Sequence, residues 1–381
     1  MNGHNTRKRI LHITEDLNIG GLERVVEVIV LGLDRQRYDV EVWCLARGGA
    51  VAEEIRDRGI SVRILGLTSY YNPARIGDLA RILGEAHFDV IHTHGYFAST
   101  FCRLAALKAQ VPVIVTHIHT TYHHFKARNR RIENLLSLYT DRVICVSRAV
   151  GEFAVEQLGI RPQNISVIYN TAFADAAACS EENVQQWRSA FGLDGDEEVI
   201  LSMASLTGNK GQEVLLHAVK QLAGTGRKIR CILVGDGPLR GTLEGLAESL
   251  GIRNAVLFTG VQADVSPFLR IANLLVLASV EREGLSVALI EGASAGLPLV
   301  GTRLGGIPEV IEDGSNGILV EPGNARELSA AMQRLFENRG LRERMARQSR
   351  EIYRLRFAPD IMIGKIESIY DRALNRKAHA V

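Results

Sequence analysis

The run Ser279-Val280-Glu281-Arg282-Glu283-Gly284-Leu285-Ser286-Val287-Ala288-Leu289-Ile290-Glu291 brings together groups suited to a diphosphate and to sugar hydroxyls. An apolar strand-like stretch ends near Ala278, a short loop follows, and helical spacing starts near Leu285 or Ser286. A helix N-terminus offers unpaired backbone N–H groups and the positive end of its dipole, a natural seat for a diphosphate. Gly284 lets such a guest approach the backbone closely. Glu283 stands at the helix mouth and Glu291 eight residues on, about 12 Å further if the rise is helical throughout. One carboxylate could meet sugar hydroxyls and the other a ribose. The competing reading gives Glu283 to the helix dipole and leaves Glu291 solvated. Asp89-Val90-Ile91-His92-Thr93-His94 and Thr116-His117-Ile118-His119-Thr120 are two further strand ends rich in histidine. His94 is placed where ligands gather, at the carboxyl end of a strand. His92 and His117 read as structural. Alternating histidines also suit a metal, but spacing identifies no third ligand, so no metal is assigned.

The elements around these residues alternate. Strand candidates in the first half are Arg9–Ile13, Val40–Leu45, Ser61–Ile64, Val90–Thr93, Val111–Thr116, Val143–Val146 and Ile165–Ile168. Helical spacing separates them, as in Leu22–Leu33 and Ile76–Ala86. Strands so uniformly apolar belong to parallel sheets buried on both faces, and the alternation implies doubly wound α/β domains. After Asn170 the pattern breaks into a connector, Ala172–Glu182. It restarts at Val199–Met203 and runs through Cys231–Val234, Ala255–Thr259, Leu274–Ala278, Pro298–Val300 and Gly317–Val320. The tail Ala325–Leu374 reads as helical. The expected plan is an N-terminal domain over 1–175, a linker over 176–195, a C-terminal domain over 196–355, and a final helix over 356–381 packing back on the first domain.

The segment from Glu283-Gly284 to Glu291, with Ala295-Gly296-Leu297-Pro298-Leu299-Val300-Gly301-Thr302, Gly305-Gly306-Ile307-Pro308-Glu309 and Gly317-Ile318-Leu319-Val320, resembles family-4 retaining glycosyltransferases, the glycosyl transferases group 1. That resemblance implies the GT-B fold, two Rossmann-like doubly wound domains facing a central cleft. It implies a hexosyltransferase-type, metal-independent enzyme that retains configuration and needs no cofactor beyond its nucleotide-diphosphate sugar. By the same resemblance Glu283 binds the transferred sugar and Glu291 the ribose. The amides of Gly284, Leu285 and Ser286 hold sugar and diphosphate. Gly20-Gly21-Leu22-Glu23-Arg24 is similar to the family's first glycine loop, which approaches donor phosphate and acceptor; alone, a glycine pair is more often a tight turn. Gly21, Glu23, His94 and His119 then fall on the acceptor side, with His119 also touching the donor sugar near the reacting centre. Leu201–Gly211 is similar to the first strand and loop of the donor domain, where Lys210 neutralises the departing diphosphate beside Ser205. Gly235 opens a glycine turn, and Gly260 and Val261 hold the nucleobase through backbone contacts.

The sequence departs from the family pattern at four places. Ser205 stands where the family has an arginine, Thr171 follows Asn170 in place of glycine, Asn273 follows Ala272 in place of aspartate, and Ser279–Glu283 is one residue longer. Ser205 and Thr171 motivate one rival, a glycosyltransferase-like binding subunit with weak catalysis; the other rival is a GT-B nucleotide-sugar epimerase.

Composition narrows the class. The 381 residues are 46% hydrophobic and 23% charged, with net charge +2, which speaks against dedicated nucleic-acid binding. Through Asn170 there are 21 basic against 17 acidic residues, so the first half is the one suited to an anionic partner. The five cysteines are scattered and suit a reducing, cytoplasmic setting. The N-terminal residues Met1–Arg9 carry no apolar signal core. Phe125-Lys126-Ala127-Arg128-Asn129-Arg130-Arg131 follows His123-His124. Lys126, Arg128, Arg130 and Arg131 are candidates for peripheral contact with the inner face of a membrane and a lipid-linked or sugar acceptor, with a solvated helix face as the alternative. Two decoys are set aside. Gly235-Asp236-Gly237 lacks the third glycine of a dinucleotide fingerprint, Arg240 standing in its place. Asp194-Gly195-Asp196 reads as an acidic loop.

Overall fold

The computed structural model describes residues 7–67, 72–121, 125–172, 176, 179–193, 195 and 197–379. Met1–Thr6, His123-His124, Asp194, Asp196 and, within the expected connector, residues 173–175 and 177–178 lie outside the described residues. The chain forms two units, Met1–Asn170 with Pro359–Val381, and Thr171–Ala358.

In the first unit seven parallel strands take the order β3-β2-β1-β4-β5-β6-β7. They are β1 Lys8–Thr14, β2 Tyr38–Cys44, β3 Ser61–Ile64, β4 Val90–His94, β5 Val113–Ile118, β6 Arg142–Cys145 and β7 Ile165–Val167. The central strands form where the apolar runs predict them, because both faces are covered: Ile10, Leu11, Ile13, Val90, Ile91, Val113 and Val115 are almost wholly buried, whereas the edge strands β3 and β7 are largely exposed or half-buried. β5 is displaced towards its C-terminus. Pro112 lacks the N–H that a ladder needs, so pairing starts at Val113 and extends through His117.

The second unit repeats the plan in six strands ordered β10-β9-β8-β11-β12-β13. These are β8 Glu198–Met203, β9 Ile229–Val234, β10 Val256–Gly260, β11 Leu274–Leu277, β12 Leu299–Thr302 and β13 Gly317–Val320. The segment expected as a linker contains the helix Glu181–Ala190. Ser180 caps it by accepting from the Asn183 N–H, two glutamates fill its first turn, and Trp187 and Phe191 pack on Phe268 of the second unit.

The tail divides into helices Ala325–Glu337 and Arg339–Ile352, a wide turn Tyr353–Phe357, and the helix Pro359–Ala378. That last helix belongs to the first unit. Glu367 accepts from the Asp34 N–H at 2.9 Å, Tyr38 donates its hydroxyl to Asp371 at 2.8 Å, and Tyr370 is fully buried. A Cβ on Gly32 would stand 2.9 Å from Ile363, so the missing side chain permits the close packing.

Candidate functional site

Strand order reverses between β1 and β4 in the first unit and between β8 and β11 in the second. In open parallel sheets the loops beyond the carboxyl ends of such strands make the ligand crevice. Gly20, Gly21, Ser205, Lys210 and Glu283 sit on or beside the loops after β1, β8 and β11 and His94 ends β4, whereas His119, Gly235 and Gly260 stand at the ends of β5, β9 and β10.

In the second unit, Glu283 lies on the loop after β11 and Lys210 on the loop after β8. Lys210 Nζ donates to Glu283 Oε2 at 2.8 Å, and Ser279 Oγ donates to the same oxygen at 2.9 Å. The Glu283 side chain is only 7% exposed and that of Lys210 21%. The two loops interlock through glycine and backbone. Gly211 takes φ +65, and a Cβ there would stand 2.0 Å from the Ala278 carbonyl oxygen; the Val280 N–H meets the Asn209 carbonyl at 2.9 Å. A third layer supports them. Gly306 donates its N–H to the Glu283 carbonyl at 3.2 Å, and a Cβ on Gly305 or Gly306 would meet the carbonyl oxygens of Glu283 and Gly284 at 2.0 Å. Thr302 donates to the Ser279 carbonyl at 2.7 Å. Arg282 adopts the left-handed φ of +49, an uncommon conformation for a side-chain-bearing residue, immediately before Glu283.

The helix expected from Leu285 or Ser286 begins at Val287, because Ser286 is its cap and accepts from the Leu289 N–H at 3.3 Å. Glu283 therefore precedes the helix, and helical rise does not measure its distance to Glu291, which is half-buried on the helix Val287–Ala295. Gly284, Leu285 and Ser286 are buried at the helix entrance. Ser205 is exposed after β8, its hydroxyl 3.3 Å from that of Thr207. Gly235, at φ +132, packs on that loop: a Cβ would stand 2.1 Å from the Ala204 carbonyl oxygen. Its N–H donates to the Gly260 carbonyl at 2.9 Å, next to exposed Val261. Arg240, the residue that breaks the dinucleotide fingerprint, donates to Asp236 and Glu244 at 3.0 and 3.1 Å. Its guanidinium lies against Gly260, 3.4 Å from where a Cβ would sit. This neighbour of the Gly235–Gly260 bridge was not read as a site residue from sequence, and neither were Ser279, Gly305 and Gly306.

In the first unit, Gly20 is extended and precedes the helix Gly21–Gly32. A Cβ on Gly20 would stand 2.3 Å from Glu23 Oε2, so the Glu23 carboxyl folds back over the glycine loop. Burial pushes that carboxyl up to about 7; a hydrogen bond to its own N–H opposes the shift and nearby Asp16 adds to it. Leu22 reaches towards Gly95, 3.6 Å from a Cβ placed there, which sets the glycine loop beside the end of β4.

Beyond this lies a cluster that the sequence reveals only in part. His92, His94, His117 and His119 project on one face of β4 and β5, and His12 of β1 joins them. Parallel register sets His12 beside His92 and His94 beside His117. A hydrogen-bonded chain runs from His119 Nε2 to His94 Nδ1 at 3.2 Å, from His94 Nε2 to His12 Nδ1 at 3.0 Å, from His12 Nε2 to the Tyr370 hydroxyl at 3.3 Å, and from there to His92 Nδ1 at 2.7 Å. Burial lowers the affinity of all five imidazoles for a second proton, taking His12 and His119 down to about 3, so the cluster is neutral at pH 7. His119 keeps one edge open to solvent.

The basic run occupies the helix Ala127–Ser137. Lys126, Arg128 and Arg131 are exposed, whereas Arg130 is half-buried and donates to Gln157 at 3.0 Å. Exposed Leu135, Leu138 and Tyr139 continue the surface. The helix is tied down by the buried pair of Glu133 with Arg103, Thr100 donating to the same carboxylate at 2.7 Å. Among the described residues no helix is long and apolar enough to cross a membrane.

Comparison with known proteins meets this geometry. The family of glycosyl transferases group 1 matches residues 183–352, and Glycosyltransferase Family 4 matches residues 19–172. N-acetyl-alpha-D-glucosaminyl L-malate synthase of Bacillus anthracis is 27% identical over 79% of each chain. The lipopolysaccharide core biosynthesis glycosyltransferase LpsD of Rhizobium meliloti is 31% identical, over 64% of this chain and 67% of its own. Anabaena HepE, solved with UDP and glucose, superposes with a TM-score of 0.86 at 25% identity, covering 96% of this chain and 100% of that one.

Proposed function

This chain belongs to the glycosyl transferases group 1, and on that premise we propose that it is a retaining, metal-independent enzyme that moves a sugar from a nucleotide-diphosphate donor to an acceptor hydroxyl. The observation that carries the reading is the Lys210–Glu283 pair at 2.8 Å, formed by the loops after β8 and β11 at the switch point of the second sheet. HepE, with UDP and glucose bound, supports a nucleotide sugar as donor. Glu283 takes the hydroxyls of the transferred sugar and Glu291 those of the ribose. Gly284, Leu285 and Ser286 offer amides to sugar and diphosphate, and Gly260 and Val261 flank the base. Lys210 stabilises the departing diphosphate, charge placed where charge develops. Ser205 adds only a hydroxyl there.

On the acceptor side stand Gly20, Gly21, Glu23, His94 and His119. Glu23, poised near neutrality, is suited to exchanging a proton with the acceptor hydroxyl. Neutral His119 donates or accepts a hydrogen bond without adding charge. The acceptor hydroxyl attacks from the face the diphosphate leaves, giving an α-linkage from an α-linked donor. Lys126, Arg128 and Arg131, with Leu135, Leu138 and Tyr139, offer charge and apolar surface together, which fits contact with an anionic leaflet carrying a lipid-linked acceptor. The name of LpsD supports a place in polysaccharide or glycolipid synthesis. Neither the epimerase nor the binding-subunit reading is favoured by these relatives.

The test is a panel of UDP, GDP and ADP sugars with glycan and lipid-linked acceptors, following nucleotide release and the anomeric proton of the product. Acceptor-dependent release and an α-anomer are expected. Full activity in Glu283→Ala, or a β-anomer, would overturn the reading.

A further inference from the structure

The histidine cluster of the first unit contains more than hydrogen bonds explain. His117 is 1% exposed, and among the described residues neither of its ring nitrogens has a hydrogen-bond partner. His119 Nδ1 is likewise buried and unpartnered. Buried polar atoms are nearly always satisfied, so these three nitrogens at one strand end, with the equally unpartnered His92 Nε2 beside them, point to a missing ligand. Spacing alone offered two histidines at a time. Register supplies the third: one ring nitrogen each from His94, His117 and His119 lie within 4.8 Å of one another. Three imidazole nitrogens on a tetrahedral ion, each about 2.0–2.1 Å from it, are about 3.4 Å apart, so rotamer adjustment alone could close the set.

We propose that His94, His117 and His119 form a binding site for one divalent cation of the zinc class, an ion that the metal-independent transfer proposed above does not use. Three neutral imidazoles with no carboxylate select zinc, cobalt, nickel or copper over magnesium or calcium. The rest of the cluster is arranged as the outer support such sites use. With His94 Nδ1 on the ion, its Nε2–H donates to His12 Nδ1 and the His12 Nε2–H donates to the Tyr370 oxygen. The Tyr370 hydroxyl in turn donates to His92 Nδ1. Every bond in that chain has one donor and one acceptor, and the chain fixes the tautomer that leaves His94 Nδ1 without a proton, 3.2 Å from His119 Nε2, close to the spacing of two ligands on one ion. The alternative set, His12 with His92 and His94, is covered: the buried Tyr370 hydroxyl bonds both His12 Nε2 and His92 Nδ1.

The test uses the full chain stripped with a chelator. Co2+ is titrated as a visible-absorbing probe and then displaced with Zn2+. One Co2+ per chain is expected, with strong visible bands of a four-coordinate, nitrogen-rich site. His117→Ala should weaken binding about 100-fold or more, and His12→Gln about 10–100-fold through the outer support. His217→Gln, on an exposed helix position, should leave it unchanged. Zn2+ should raise the melting temperature of the parent protein by mass action but not that of His119→Gln, whose half-exposed side chain makes it the variant to rely on if His117→Ala does not fold. Absence of saturable Co2+ binding, or binding undiminished in both His117→Ala and His119→Gln, would overturn the proposal.

Discussion

Replacing Lys210 with alanine separates the structural from the chemical role of the pair at the second switch point. At 2.8 Å and an effective dielectric near 20, the gross attraction between the two charges is about 6 kcal/mol. Much of that offsets desolvation, but removing one partner leaves the Glu283 carboxylate buried and uncompensated, which generally costs about 3–5 kcal/mol. Ser279 still donates to Glu283 Oε2, so the lower end applies, about 3 kcal/mol. For a domain of this size that is a fall of about 5–10 °C in the melting transition of the second unit, read by calorimetry. Activity should fall about 100- to 1,000-fold, the usual effect of losing a preorganised group that stabilises developing charge. The double variant Lys210→Ala/Glu283→Gln discriminates: the neutral amide no longer needs the ammonium, so stability should recover while activity stays low. A Lys210→Ala protein that melts with the parent, or a double variant that regains turnover, would refute the reasoning.

Three further perturbations follow from the same geometry. Glu23 binds its proton more tightly in the fold, about pH 7, than an ordinary carboxyl at 4.5, so its contribution is fully present below pH 4.5 and lost as pH rises to 7. Glu23→Gln should remove that decline and gain up to about 3 kcal/mol above pH 7, measured as the melting temperature against pH; identical slopes in both proteins would count against a raised Glu23. Gly306→Ala, at an ordinary φ of −81, tests space alone: its Cβ would sit 2.0 Å from the Gly284 carbonyl oxygen, so a loss of about 1–3 kcal/mol and a roughly 100-fold slower transfer are expected from thermal unfolding and turnover. Glu133→Ala strands Arg103, 1% exposed, and should cost about 3–5 kcal/mol in calorimetry, whereas replacing both partners with apolar residues of similar volume should cost far less.

How much of this was legible depends on whether the signal is local. The central strands are continuous apolar runs buried on both faces, so they were placed within a few residues, and the two doubly wound sheets followed; the edge strands β3 and β7, with no such burial, were read from short β-rich runs. The helix Glu181–Ala190 was not placed, because only Val184 of its narrow apolar face is fully buried, and the ring that Trp187 packs on, Phe268, is far along the chain. The final helix reads as polar and helical, but its partners, among them Tyr38 and His92, are more than 270 residues away. The site divides in the same way. Glycine pairs and histidine alternation are visible along the chain, whereas Lys210 meets Glu283 across 73 residues and only the family resemblance brought them together. His12 was missed because a single histidine inside an apolar strand looks like core, and its neighbours are set by β1–β4 register. Gly305 and Gly306 carried a visible signal, a glycine pair, but what they accommodate is the backbone of another loop.

The two switch points use the same topology for opposite electrostatics, and the contrast fits the proposed division of labour. The second unit presents a charged pair, Lys210 with Glu283, where a diphosphate would bring negative charge that an ammonium can meet. The first unit presents five neutral imidazoles and a carboxyl that is half-protonated near pH 7, where an uncharged hydroxyl would bind. Desolvation is the largest cause of the downward shift at every histidine of the cluster, so neutrality follows from placing them on the inner face of β1, β4 and β5 beneath Tyr370. The same neutrality keeps the ring lone pairs available, the condition a metal ion requires, so the features that suit the first unit to a hydroxyl acceptor also leave it open to zinc.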